Sequence, residues 1–124
     1  MATLTPTLTL ASSDALVDAL ALSVTDSLNI TGQSQLGKKL MTGSLVTIFA
    51  AGSFGESMVY LRNLSTSGGD RRATEKIVIA FASAEEIHLG PGEFALFPWE
   101  SGANLAAKFS GGSAPYLEFG IFEF

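Results

Sequence analysis

The sequence predicts an all-β protein, an antiparallel β-sandwich of about eight or nine short strands. Three observations carry that expectation. Apolar residues alternate with polar ones at period two along most of the chain; turn-forming Gly, Pro, Ser and Asp clusters recur about every 8 to 12 residues; no stretch sustains the period of about 3.6 residues that marks an amphipathic helix. At 124 residues the chain is long enough for one substantial core. Residues 1–12 are expected to form an extended N-terminal arm and residues 13–124 a single sandwich domain.

The arm shows the alternation first. Leu4, Leu8 and Leu10 share one parity and Thr3, Thr5, Thr7 and Thr9 the other, with Pro6 restricting the segment to an edge position. Ser12-Ser13-Asp14 is suited to cap a short helical turn over residues 15–18. Leu20, Leu22, Val24, Leu28 and Ile30 then alternate with Ala21, Ser23, Thr25, Ser27 and Asn29, predicting one long half-buried strand. Gly32 and Gly37 bracket an expected polar loop, and residues 45–50 are apolar on both parities, as in a strand covered on both faces. Gly52 to Gly55 supplies a turn, Met58 to Leu64 a strand, and Ser65-Thr66-Ser67-Gly68-Gly69-Asp70 an exposed loop tip. Ile77, Ile79 and Phe81 give the next strand a strongly apolar face. Further strands are expected at Ile87 and Leu89, at Phe94 to Phe97 between Gly90-Pro91-Gly92 and Pro98, at Leu105 to Phe109, and from Tyr116 to Phe124.

Composition narrows the function classes. Apolar residues make up 47% and charged residues 15% of the chain, which is too apolar for disorder and leaves apolar surface for a partner to cover. A net charge of -5, with Lys38-Lys39 and Arg71-Arg72 as the basic pairs, argues against a surface that tracks nucleic-acid phosphates. The absence of cysteine excludes disulfides, thiolate metal sites and cysteine nucleophiles. No run is long and apolar enough for a membrane-spanning helix, and the start Met1-Ala2-Thr3-Leu4-Thr5-Pro6 lacks the features of a secretory signal, so the chain is expected to be made and kept in a cytoplasm.

Catalytic equipment is equally sparse. His88, the single histidine, lies between Ile87 and Leu89 with no second imidazole to share a metal ion, and no serine occupies a Gly-x-Ser-x-Gly elbow. Glu85 and Glu86 are read as a solvated turn and, as neighbours on a strand, would point to opposite faces, while Glu118 and Glu123 have opposite parities, so neither pair converges on one bond. The Gly-rich segments 52–55 and 67–70 lack the lysine of a phosphate loop. Trp99 is expected to pack over one end of the core, with Tyr60 and Tyr116 as further aromatics for a sugar face, and Lys38, Lys39, Arg62, Arg71 and Arg72 are candidates for charged contacts with a partner. The expectation is a protein without catalytic residues, metal or cofactor.

His88-Leu89-Gly90-Pro91-Gly92-Glu93-Phe94-Ala95-Leu96-Phe97-Pro98 resembles the second half of a cupin-type jelly roll, in which histidines and a glutamate hold a metal. Here Trp99-Glu100-Ser101-Gly102-Ala103-Asn104 follows the closing proline where a metal-binding cupin places a histidine. A broader stretch, from Val59-Tyr60-Leu61-Arg62-Asn63 through Ile77-Val78-Ile79-Ala80 and Leu89-Gly90-Pro91-Gly92-Glu93 to Tyr116-Leu117-Glu118-Phe119-Gly120-Ile121-Phe122-Glu123, resembles small virion proteins of tailed bacteriophages.

That resemblance implies a jelly-roll-like sandwich and a structural role: capsid cement or decoration of the head, or a tail or head–tail connector subunit. Readings from other classes are a carbohydrate-binding sandwich and a cupin-like enzyme without the usual ligands. The partners implied are the major capsid protein or other virion proteins and further copies of the chain, a trimer by analogy with decorating sandwiches on threefold positions, with no direct contact to nucleic acid or membrane. The location implied is the virion, and the host cytoplasm during assembly. The candidate partner contacts are Leu4, Leu8 and Leu10 of the arm, suited to strand addition on a neighbour, and Tyr116, Phe122 and Phe124 of the terminal strand, whose two apolar parities exceed what one small core covers.

Overall fold

A computed structural model describes residues 2–14, 16–65, 75–111 and 114–124. Among the described residues there are twelve β-strands and no helix, and every strand pairing is antiparallel. The chain divides into two compact units, Met1–Thr31 and Gly32–Phe124.

The first unit is a two-stranded ribbon. β1 (Ala2–Leu4) pairs with β4 (Leu28–Ile30), and β2 (Thr7–Ser12) with β3 (Leu20–Thr25). Pro6, which has no N–H to give the ladder, falls at the break between the two pairings. The register is nevertheless the same on both sides, from Ala2 opposite Ile30 to Ser12 opposite Leu20, and the Asp26 N–H donates to the Pro6 carbonyl across the break at 3.1 Å. At roughly 3.4 Å per residue this ribbon is about 34 Å long.

The second unit is a sandwich of eight strands: β5 (Ser34–Leu40), β6 (Val46–Phe49), β7 (Ser57–Asn63), β8 (Lys76–Phe81), β9 (Ala84–Leu89), β10 (Phe94–Trp99), β11 (Leu105–Ser110) and β12 (Tyr116–Glu123). They form two sheets in the orders β10-β7-β12-β5 and β6-β11-β8-β9. The pairings nest: β8 with β9, β7 with β10, β6 with β11 and β5 with β12, as though one long hairpin had been wound up, with β12–β7 and β11–β8 closing the sheets.

Alternation decides which residues fill the space between the sheets. Val59 and Leu61 of β7, Leu117 and Ile121 of β12 and Trp99 of β10 meet Ile77 and Ile79 of β8, Leu105 and Ala107 of β11, Leu89 and Phe49 in one buried cluster. Aromatic edges lock it: Phe49 meets Phe119 and Phe54 edge-on at centroid distances of 5.7 Å, and Phe81 meets Phe97 at 5.9 Å.

Several expectations are revised. Ala2–Leu4 pairs with Leu28–Ile30 and Thr7–Ser12 with Leu20–Thr25, so the first unit runs to Thr31, where the sequence suggested a break after residue 12. The expected single strand over Leu20 to Ile30 is split by Asp26 and Ser27 into two, and β3 is exposed except at Leu20. Residues 13, 14 and 16–18 are bends, with no helical turn. The polar stretch expected as a loop between Gly32 and Gly37 is largely β5. These pieces raise the strand number above the eight or nine anticipated. The loop expected at 65–70 lies outside the described residues beyond Ser65, as do Arg71 and Arg72.

Candidate functional site

The ribbon's constant register sorts its side chains by chemistry. Even positions share one face: Leu4, Leu8 and Leu10 lie with Leu28, Val24, Leu22 and Leu20, with Leu8 directly opposite Val24 and Leu10 opposite Leu22. Odd positions on the other face are Thr, Ser, Ala and Asn, where Thr7 faces Thr25 with hydroxyl oxygens 3.3 Å apart. On the aliphatic face Leu8, Leu10, Leu22 and Val24 are between 43% and 52% exposed. β2 and β3 contain no charged residue, and Asp14 and Asp18 flank exposed Leu16 and Val17 in the segment joining them.

A second apolar surface is the outer face of the sheet β10-β7-β12-β5. Register aligns Phe94, Arg62, Glu118 and Lys38 in one row, Leu96, Tyr60, Gly120 and Leu36 in the next, and Tyr116 beside Leu40. Leu36 and Phe94 are 70% and 62% exposed, and Leu40, Leu96 and Tyr116 are also exposed. Glycine at position 120 keeps the middle of this face shallow, since a Cβ there would press on Leu36 and Phe122 at 3.3 Å. The Tyr60 hydroxyl donates to Glu118 Oε1 at 2.6 Å, and Lys38 Nζ lies 5.3 Å from the centre of the Tyr116 ring. Burial of the hydroxyl, followed by the hydrogen bond to Glu118, raises the Tyr60 pKa, against a smaller lowering influence of Arg62.

The outer face of the other sheet differs. Its rows hold Thr47, Ala106, Ala80 and Glu85, then Lys108, Val78 and His88. Lys108 Nζ pairs with Glu85 Oε1 at 2.5 Å, and that hydrogen bond and charge hold the Glu85 carboxyl below the usual carboxylate range. His88 is exposed in this row. A register shift between Ile79 and Ala80 places Glu86 as an extra residue beside Glu85.

Several polar side chains of the sandwich interior and loops hold backbone. Buried Asn63 donates through Nδ2 to the carbonyls of Glu75 at 2.8 Å and Leu89 at 3.0 Å, and its Oδ1 accepts from the Ser65 N–H at 2.9 Å. Glu93 accepts from the Gly90 N–H at 2.9 Å, closing the Gly90-Pro91-Gly92 turn in which Gly92 takes a φ of 77°. Glu123 clamps two loops, accepting from the Gly55 N–H at 3.0 Å and the Gln33 N–H at 3.2 Å. Trp99 is buried against Phe49 at 6.1 Å and presents no platform. Among the described residues, no three His, Cys, Asp or Glu side chains group as a metal site would require.

Of the residues singled out from sequence, Leu4, Leu8 and Leu10 share the ribbon's aliphatic face, and Tyr116 and Phe122 share the outer sheet face. Phe124 follows the end of β12, half-buried, with its N–H donating to the Glu56 carbonyl at 2.9 Å. Sequence reasoning missed Leu36, Leu40, Phe94 and Leu96 as members of the sheet face. The shared parity of Leu36, Lys38 and Leu40 was the available signal. Compared with known proteins, the chain matches no family model, no curated protein and no solved structure.

Proposed function

We propose that this chain is a non-enzymatic structural protein of a bacteriophage particle, a capsid cement or decoration subunit acting in the virion after assembly in the host cytoplasm. The observation that carries the reading is the ribbon: four side chains of its aliphatic face, Leu8, Leu10, Leu22 and Val24, are exposed in a two-stranded element. Such an element is marginal in water without a covering layer. A protein that completes this face by lying on a capsid lattice gains affinity from many repeated contacts. The nested pairing of the eight sandwich strands supports the jelly-roll reading, an architecture shared by capsid proteins, lectins and cupins. In that reading Glu93 is a turn clamp, consistent with its bond to Gly90.

Co-sedimentation with purified heads of the phage that encodes the chain tests the proposal. Saturable binding at a fixed ratio to the major capsid protein is the expected result. Protein that stays in the supernatant at every ratio overturns it, and binding to tails or connectors instead moves the role to that site. One observation favours a second reading, a carbohydrate-binding sandwich: Tyr60, Tyr116 and Phe94 share the outer sheet face with Arg62 and Glu118. Saturable binding on a glycan array, lost in Tyr60→Ala, would replace the first reading with this one.

A further inference from the structure

We infer that the outer face of the sheet β10-β7-β12-β5 is the docking site for the ribbon of a second copy of this chain, so that copies join head to tail. The inference is independent of the virion reading. Three features select this occupant.

Charge is the first. Residues 1–31 contain three acidic residues, Asp14, Asp18 and Asp26, and no lysine or arginine. The outer sheet face carries Lys38 and Arg62 against the single Glu118, which already accepts a hydrogen bond from Tyr60. Two ribbons in contact set acid against acid and two sheet faces set cation against cation, whereas ribbon on sheet face sets acid against cation.

Apolar pattern is the second. Leu16 and Val17 are exposed between Asp14 and Asp18, and the sheet face sets Leu36, Leu96, Phe94 and Tyr116 around Lys38 and Arg62. Both surfaces therefore have an aliphatic or aromatic centre with charges beside it, and the charges are of opposite sign. Aromatic and arginine side chains in a desolvated centre are the usual energetic anchors of protein interfaces.

Reach is the third. A ribbon about 34 Å long separates the Asp14 to Asp18 segment from the paired ends of β1 and β4. That length is comparable to the diameter of roughly 30 Å for a folded unit of this size, so a ribbon can cross the full width of a partner's sheet face. Because donor and acceptor surfaces differ, the contact is heterologous and repeats from copy to copy, closing into a ring or extending as a filament.

Sedimentation equilibrium on three proteins tests this: the natural chain, a ribbon variant with Asp14→Lys and Asp18→Lys, and a sheet variant with Lys38→Glu and Arg62→Glu. All four positions are exposed, and circular dichroism establishes that each variant is folded. The natural chain is expected to associate with rising concentration, and each variant alone to do so at least about tenfold more weakly, which corresponds to roughly 1.4 kcal/mol. An equimolar mixture of the two variants is expected to regain association, since each reversed surface then meets its complement. A natural chain that is monomeric at every concentration, a variant that associates as the natural chain does, or a mixture no stronger than its components overturns the inference. A sheet variant that still associates normally would identify contact between like ribbons, and a ribbon variant that does so would identify contact between like sheets.

Discussion

In β7, Val59 and Leu61 alternate with Tyr60 and Arg62 and are fully buried; in β2, Leu8 and Leu10 alternate with Thr7 and Thr9 in the same way and stay exposed. The two patterns cannot be told apart one strand at a time. The difference lies in the second layer. β7 faces another sheet, whose Ile77, Ile79 and Leu105 close over it, whereas β2 has β3 as its one strand partner among the described residues and contributes no side chain to the buried cluster. Period two reports that a strand has two unlike faces, and burial is decided by what the topology places opposite the apolar one.

The largest expected effect tests that contrast directly. Leu61→Ala should destabilise the sandwich by about 2–5 kcal/mol, because the cavity it leaves is walled by side chains of both sheets. Leu10→Ala should change the unfolding free energy of the dilute protein by no more than about 0.5 kcal/mol. Urea unfolding followed by Trp99 fluorescence measures the first, and unfolding followed by strand circular dichroism covers both units. Equal losses at the two positions would mean that Leu10 is covered in the single chain, and the contrast would fail.

A smaller effect separates the polar residues of the two regions. Asn63→Leu removes the partner of the Glu75 and Leu89 carbonyls and of the Ser65 N–H inside the sandwich, which should cost about 2–4 kcal/mol in thermal or urea unfolding. Thr7→Val removes a hydroxyl contact with Thr25 on an exposed face and should leave stability within about 0.5 kcal/mol. If Thr7→Val is as damaging as Asn63→Leu, the polar face of the ribbon is an interior.

The sequence disclosed the strands of the sandwich where packing demanded apolar residues, as at Ile77, Ile79 and Phe81 or at the strand from Tyr116 onward. It concealed β5, because an edge strand needs little apolar surface. Gln35, Gly37 and Lys39 occupy its inner parity, and glycine at 37 leaves room for the Phe119 ring, which would lie 3.1 Å from a Cβ there. The candidate surfaces were concealed for a different reason. Leu8 and Val24, or Lys38 and Phe94, become neighbours only through cross-strand register, which no single strand encodes. The first unit's boundary at Thr31 was hidden likewise: the partner of the Thr-Leu segment lies in β3 and β4, and only pairing joins them.

The smallest expected effect concerns Tyr60, whose hydroxyl makes the sheet face chemically distinct from the uncharged ribbon strands. Folding raises its pKa above the ordinary value of 10.0, first by burial and then through the Glu118 carboxylate that accepts its hydrogen bond. The folded chain therefore holds this proton more tightly than the unfolded chain does, so the associated stabilisation is fully present below the ordinary value and is lost as pH rises through the folded one. In a Tyr116→Phe background, which leaves Tyr60 as the one tyrosine, absorbance titration should show an elevated pKa. Glu118→Gln should bring it part of the way down, since burial remains, and Arg62→Gln should move it further up, since Arg62 opposes the shift. An unchanged titration in Glu118→Gln would sever Tyr60 from Glu118. A pKa that climbs with protein concentration would show the hydroxyl losing more water as a second copy covers the face, which ties the titration to the docking of the ribbon.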